Sequence, residues 1–378
     1  MPLVSIPNPD LATGFDNRPK WEVSDYRRHG FHNLHEMARY TISLRAPGVL
    51  PLRKEIDWTI GDRADVARFL KMSHFSAFAV VRGDRILYEA YAPDFGANRT
   101  HSIHSSTKAI VNLMLGQAVA EGFVDLNERV STYLPEIGTG YAGATVKDVA
   151  NMNVANNFTE DLADPDTMWY SMESAIGFRL PPEGQKEGTS RSFLCGITSD
   201  DLTNRTEHSL YKSANSEVLG WIIERTSGRD LRDWLIDIVE AAGIEGSFHI
   251  TCDREGVPLL NGGACLTARD LARFGLLFAR GGEGVDGLRV GDPAFIEETR
   301  LDQAAPSHPA PGSDMRYSRH MSTDGTFLGH GGWGGQYLLV NPDTDTAVVY
   351  FSVLENRSAW ASDFTAPLIR MLAAVAAE

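Results

Sequence analysis

Two strand pairs lie at opposite ends of this chain with helical patterning between them, and that arrangement restricts the fold more than any other feature of the sequence. From Ser76 to Ala92, apolar runs flank Arg82-Gly83-Asp84-Arg85, the pattern of a hairpin with Gly and Asp in its turn. Near the other end, Gln336 to Val340 and Thr346 to Val353 flank Asn341-Pro342-Asp343-Thr344-Asp345, a second turn between two strands. A helix is predicted from Ser362 or Asp363 onward, with Leu368, Ile369, Leu372 and Val375 on one face and a capping residue before it. Between these ends, helical faces recur: Ile110, Leu113, Met114 and Ala118; Val218, Trp221, Ile222 and Arg225, stopping at Ser227-Gly228; and Leu271, Phe274, Leu277 and Phe278. The prediction is an α/β (α+β) fold: one antiparallel sheet assembled from both chain ends and flanked by helices, with a mostly helical domain inserted. The expected boundaries are an N-terminal extension over 1–60 packed on the core, the sheet domain from 61–120 and 275–378, and the helical domain over 121–274. A cleft is expected between the two domains.

The length of 378 residues allows one large domain or two interlocked ones, and 43% hydrophobic with 22% charged residues is ordinary for a globular chain. A net charge of -15 opposes binding to nucleic acid or anionic lipid, both of which demand basic stripes. The densest basic spot, Arg27-Arg28, is only a pair and reads as solvated surface charge. Three cysteines, Cys195, Cys252 and Cys265, form neither a CxxC nor an even set, so reduced thiols are expected. The N-terminus lacks a basic start and an apolar run, and no stretch approaches membrane-spanning length, so a cytoplasmic location is expected. His29, His32 and His35 recur at helical spacing, with Glu36 the one evident carboxylate near them, and read as surface or core histidines rather than metal ligands. No metal or cofactor is called for. The oligomeric state stays open, a homodimer included.

Chemistry concentrates in three places. Ser105-Ser106-Thr107-Lys108 opens the helix carrying Ile110 and Leu113, and positions three apart on a helix point the same way, so the hydroxyl and the amine can hydrogen-bond. An amine partly desolvated in a cleft has a lowered pKa and can serve as a base. Tyr211-Lys212-Ser213-Ala214-Asn215 lies directly before the Val218 helix. A phenol near an ammonium loses its proton more easily, which makes Tyr211 a candidate general base and later acid; a half-buried structural tyrosine is the alternative. Gly329-His330-Gly331-Gly332-Trp333-Gly334-Gly335-Gln336 leads into an apolar strand, and so many glycines there imply close approach of a backbone or ligand, or an unusual turn.

Together these motifs resemble the penicillin-recognising serine hydrolases, in particular the class C β-lactamase-like branch that includes the family VIII esterases and the nylon-oligomer hydrolases. Further shared segments are Met152 to Pro165, Tyr211 to Gly228, and Asn261-Gly262-Gly263 through Thr267 to Arg273, and the likeness covers roughly residues 75–355. The resemblance implies Ser105 as nucleophile, Lys108 as its activator, Tyr211 as acid/base, and an oxyanion hole of the backbone N–H groups of Ser105 and Trp333. It also implies substrate contacts from Asn261, His330, Gly331, Gly332 and Asn215. Glu173 matches an acidic residue that binds the substrate amine, and Phe178 a pocket tryptophan. Trp169 and Tyr170 fall in the same region, as an aromatic lid or as core aromatics.

The departures bear on substrate. Where β-lactamases carry Lys-Thr-Gly, this chain has His330-Gly331-Gly332, so a fixed cation for a substrate carboxylate is lost or pH-dependent. A tyrosine associated with amide turnover in the nylon-oligomer branch is matched by Leu162. The expected activity is hydrolysis of a small-molecule ester, linear amide or lactam. An inactive binding or scaffold protein of the same fold, and an acyltransferase using the same acyl-enzyme, are the alternatives.

Overall fold

The computed structural model describes residues 23–161, 164, 167–181, 183–201, 209–306, 315–356, 358–359 and 361–378. In chain order its strands are β1 Thr41–Leu44, β2 Arg53–Lys54, β3 Phe75–Arg82, β4 Arg85–Tyr91, β5 His101–Ser102 and β6 Phe248–Thr251. They continue as β7 Ala264–Leu266, β8 Arg316–Ser318, β9 Met321–Thr323, β10 Leu328–Gly332, β11 Gln336–Asn341 and β12 Thr346–Ser352.

Eight of these form the main sheet in the order β2-β4-β3-β12-β11-β10-β9-β8. The predicted terminal hairpins are β3–β4, turning at Gly83 (φ 58°), and β11–β12. They join through the antiparallel β3–β12 pair, which sets Val80 opposite Val348. Only the short edge strand β2 runs parallel to its neighbour. Fully buried positions such as Ala77 to Val81 and Ala347 to Phe351 show why these strands read as apolar runs: both faces are covered. The helix Ala268–Ala279 packs on one face, where Gly275 lies so close that an added Cβ would stand 2.9 Å from Leu338 and 3.1 Å from Ala347. The C-terminal helix Ser362–Ala377 packs on the other, with Phe364 against Tyr350. Residues 347 and 350 differ by an odd number along the strand and so point to opposite faces.

The helices anticipated between the hairpins are Ala109–Ala120, Ala214–Ser227 and Ala268–Ala279, the second ending at Gly228 in the left-handed region (φ 68°). At the C-terminal helix the N-cap is Ala361, without a side-chain cap bond, so the expected capping residue is not there; burial of Leu368, Leu372 and Val375 holds the helix instead.

A second sheet, β1-β6-β7-β5, was not anticipated. It pairs the N-terminal extension with residues 204 to 210 positions later, Thr41 opposite Thr251 and Leu44 opposite Phe248. Strands of two to four residues carry no periodicity that a sequence can display. No helix among the described residues is long and apolar enough to cross a membrane.

Gly275→Val inserts methyl groups into the closest approach of helix and sheet. We expect a loss of about 1–3 kcal/mol of stability from overpacking, measured by urea denaturation of both proteins.

Candidate active site

The Ser105 position is built where the two sheets meet. β5 pairs with β7, His101 opposite Leu266, and the Ile103 N–H continues the ladder to the Ala264 carbonyl at 3.0 Å. The chain then turns at His104, which takes a φ of 44°, a left-handed conformation that costs a non-glycine residue roughly 1–2 kcal/mol. Packing supports the turn: the His104 ring lies 4.3 Å from Phe31 and 5.7 Å from Trp333. The 3-10 segment His104–Lys108 follows, and Ser106 Oγ donates to the His330 carbonyl of β10 at 2.8 Å, fixing Ser105 beside that strand. Gly332 is required here because a Cβ would collide with the Ile103 carbonyl, the close backbone approach expected of the glycine-rich stretch.

Lys108 is fully buried, and its Nζ donates to three oxygens: Ser105 Oγ at 3.2 Å, Ser213 Oγ at 3.2 Å and the Asn261 carbonyl at 2.5 Å. Burial pulls its pKa down to about 8, against the nearby carboxylates of Glu160 and Glu217, which hold it up. The same Nζ stands 4.9 Å from the centre of the Tyr211 ring. Burial, followed by the charge of Glu160, pushes the Tyr211 phenol well above its ordinary range, with the nearby Ser105 hydroxyl opposing. The direction is opposite to the easier ionisation expected from the sequence. Desolvation of a phenolate outweighs what a neighbouring ammonium offers, so Tyr211 rests as a neutral O–H.

A cavity of about 1320 Å³ opens above these groups. It is bordered by Ser105, Tyr211, Asn261, His330, Gly331, Gly332, Trp333, Trp169 and Phe178, with Lys108 beneath its floor. Tyr211 Oη and Asn261 Nδ2 are buried without a hydrogen-bond partner among the described residues, so both are polar groups a ligand can use. Trp169 and Tyr170 sit on a helix, Met168–Ala175, rather than on a loop.

Two residues implied by the resemblance are not at the cavity. Asn215 is fully buried, accepting from Tyr141 Oη at 2.8 Å and donating to the Val149 carbonyl at 3.1 Å, so its amide is used in holding helices together. Glu173 has a side chain only 1% exposed and is ion-paired with Arg179, the residue that borders the cavity in its place. The pairing removes Glu173 as a ready partner for a substrate amine. Leu162 lies outside the described residues.

His330 stands where β-lactamases carry a lysine, and both of its ring nitrogens face polar neighbours. Its Nδ1 lies 2.6 Å from the Gly331 carbonyl, which can only accept, so that nitrogen carries the hydrogen; its Nε2 lies 2.9 Å from Tyr317 Oη. Burial keeps the Tyr317 phenol protonated, so its O–H can donate to Nε2.

Several residues of the site escaped sequence reading. Ser213 and Glu160 lie inside recognised motifs but were assigned no role; the Ser213 N–H and hydroxyl both donate to the Glu160 carboxylate. Tyr317 carried no local signal. Arg27, read as surface charge, is 2% exposed: its Nη1 donates to the carbonyls of Leu354 at 2.5 Å and Asn356 at 2.7 Å, and its guanidinium lies 4.8 Å from the Trp333 ring centre. The N-terminal helix Ser24–His32 is therefore a wall of the cavity. His32 is hydrogen-bonded to Ser76 and His35 is stacked on His249, and no group of three or more His, Cys, Asp or Glu among the described residues is arranged to hold a metal.

A fold of this topology, with a serine, a buried lysine and a tyrosine meeting at one cavity, defines a serine hydrolase of the β-lactamase-like class. The family model described as Beta-lactamase matches residues 73–372, and the chain belongs to that family. Among relatives, it is 29% identical over 359 residues to a 6-aminohexanoate-dimer hydrolase from Paenarthrobacter ureafaciens, covering 91% of this chain and 90% of the other. Among solved structures, one from Bacillus anthracis assigned as a 6-aminohexanoate-dimer hydrolase superposes with a TM-score of 0.81 at 19% identity, covering 98% of each chain. A D-stereospecific amidohydrolase from Streptomyces sp. gives a TM-score of 0.58 at 17% identity, covering 84% of this chain and 98% of that one.

Three fully buried histidines predict acid lability. Burial holds His104 and His320 down at about 3 and His101 well below 6.5. The unfolded chain binds these protons from about pH 6.5 downward while the folded one does not, so stability falls as pH drops through that window. We expect about 1.4 kcal/mol lost per pH unit for each histidine, read from urea midpoints between pH 7 and pH 4.5. His320→Asn should flatten that slope.

Proposed function

We propose that this protein hydrolyses small carboxylic esters or linear amides through an acyl-enzyme on Ser105. The observation that carries this reading is the 3.2 Å contact between Lys108 Nζ and Ser105 Oγ at the floor of the cavity, with the lysine buried enough to be a base near neutrality.

Neutral Lys108 accepts the Ser105 hydroxyl proton as Oγ attacks the substrate carbonyl carbon. The oxyanion formed is received by the backbone N–H groups of Ser105 and Trp333, which flank the cavity from the 3-10 turn and from the end of β10. Tyr211, resting as a neutral phenol, donates its proton to the departing alcohol or amine and is reprotonated from Lys108. Water then attacks the Ser105 ester by the reverse proton route and releases the acid. Asn261 Nδ2 is positioned to donate to the acyl carbonyl or to a substrate amide.

Substrate class follows from the charges. The Tyr317–His330 pair puts no fixed cation where a β-lactam carboxylate would be met, and Glu173 is taken up by Arg179. Both favour uncharged acyl groups in a cavity whose walls include Phe178, Trp169 and Trp333. The similarity to 6-aminohexanoate-dimer hydrolase supports a linear amide as one of the substrates to be tried.

A fluorophosphonate probe should add to Ser105 by mass spectrometry, and Ser105→Ala should abolish both labelling and hydrolysis of p-nitrophenyl esters. Absence of any adduct on Ser105 would overturn the reading. Tyr211→Phe should lower kcat by about 10²–10⁴-fold without changing the thermal midpoint by more than a few degrees. Because the base must be unprotonated, kcat/KM should rise with pH through an apparent pKa near 8 that belongs to the coupled Lys108 site.

A further inference from the structure

We propose that Glu217 is a positioning residue of the active site: it grips the Asn261 backbone from below, so that the Asn261 carbonyl holds Lys108 Nζ beside Ser105. The inference rests on the reading of Lys108 as the base.

Glu217 lies on the helix Ala214–Ser227, one turn beyond Ser213 and on the same face. Ser213 Oγ receives Lys108 Nζ directly at 3.2 Å. Glu217 acts one residue removed: its Oε1 accepts the Asn261 N–H at 2.9 Å, and the carbonyl of that same residue accepts Lys108 Nζ at 2.5 Å. When Glu217 is ionised, its bond to that N–H is charge-assisted, about twice as strong as a neutral one. The helix runs close under this turn, where a Cβ on Gly220 would stand 2.7 Å from Leu260 Cδ1. The side chain of Asn261 borders the cavity, so the same grip aims a substrate contact and a proton acceptor together.

A carboxylate is an expensive way to hold one N–H in the interior, since it must leave water, whereas a glutamine offers the same acceptor at lower cost. Glu217 nonetheless stands where its ionisation is felt by Lys108. Glu217 faces Lys108, Asp253 and the N–H groups of Leu260 and Asn261. Lys108 in turn faces Glu160, Glu217 and the Tyr211 ring, and its charge is felt by the buried imidazoles of His104 and His320. Burial pushes Glu217 up to about 8, into the range to which it pulls Lys108 down, so the two titrate as one buried pair. Ionised Glu217 favours the ammonium. Its removal lets Lys108 lose its proton at lower pH.

The test compares Glu217→Gln and Glu217→Ala with the unaltered protein. Glu217→Gln keeps the acceptor and loses the charge: the rising limb of kcat/KM should move toward acid by about one pH unit, which reads as about tenfold more activity on that limb, with plateau kcat within a few-fold. Glu217→Ala loses the acceptor as well, and kcat should fall about 10²-fold with KM raised, while Glu217→Gln rescues both. A Glu217→Gln profile superimposed on that of the unaltered protein overturns the inference, and so does an alanine variant with unchanged kcat. Should the alanine variant not fold, the Glu217→Gln profile decides alone. Lys108→Met separates the underlying reading: if it labels with fluorophosphonate as fast as the unaltered protein, Lys108 is not the base. If it loses labelling while both Glu217 variants behave normally, only the role of Glu217 fails.

Discussion

Everything at the centre of this molecule is arranged around one ammonium group kept out of water. Lys108 is fully buried, and an isolated cation there would cost several kcal/mol. The cost is offset by three oxygens from three separate parts of the chain: the 3-10 turn at Ser105, the start of the Ala214–Ser227 helix at Ser213, and the turn at Asn261. Any displacement of one segment would leave part of the cation unsatisfied. The lysine thus ties the two sheets and the central helices into a single geometry while its own proton is loosened.

The strain of the site is balanced in the same economical manner. His104 holds a left-handed backbone immediately before Ser105, and the aromatic cluster of Phe31, His104 and Trp333 makes that conformation the one that packs. Trp333 is fixed further by Arg27 across its face and by its indole N–H, which donates to the Ser358 carbonyl at 2.8 Å. Phe31 and Arg27 come from the N-terminal helix, upstream of the region that the family model matches. One wall of this cavity is therefore supplied from outside residues 73–372, the span that the family model matches.

Charge distribution separates the chemistry from the choice of substrate. Burial loosens the Lys108 proton, and the acidic groups Glu160 and Glu217, gathered around it below the cavity floor, oppose that loss. Around the cavity, potential partners for a charged substrate are internally engaged: His330 with Tyr317, Glu173 with Arg179, and Arg27 with two backbone carbonyls.

Local patterns were legible in the sequence because the forces that make them are local. Hairpin turns at Gly83 and after Asn341, the helix stop at Gly228, and the shared direction of Ser105 and Lys108 each depend on residues within a turn of one another. The joining of the two terminal hairpins followed from their exposed edges and apolar faces. Tertiary structure alone decided the rest. The short strands β1, β5, β6 and β7 are too brief to show a period, and Arg27 is buried by carbonyls more than 320 residues away. Glu173 was legible as a carboxylate but not as one already paired, and Tyr211 as a phenol but not as one raised by burial. The sequence by itself determined which groups are candidates to react and where the hairpins and long helices of the main sheet lie. Their protonation and their partners were decided only by the fold, because desolvation and long-range pairing are properties of the assembled interior.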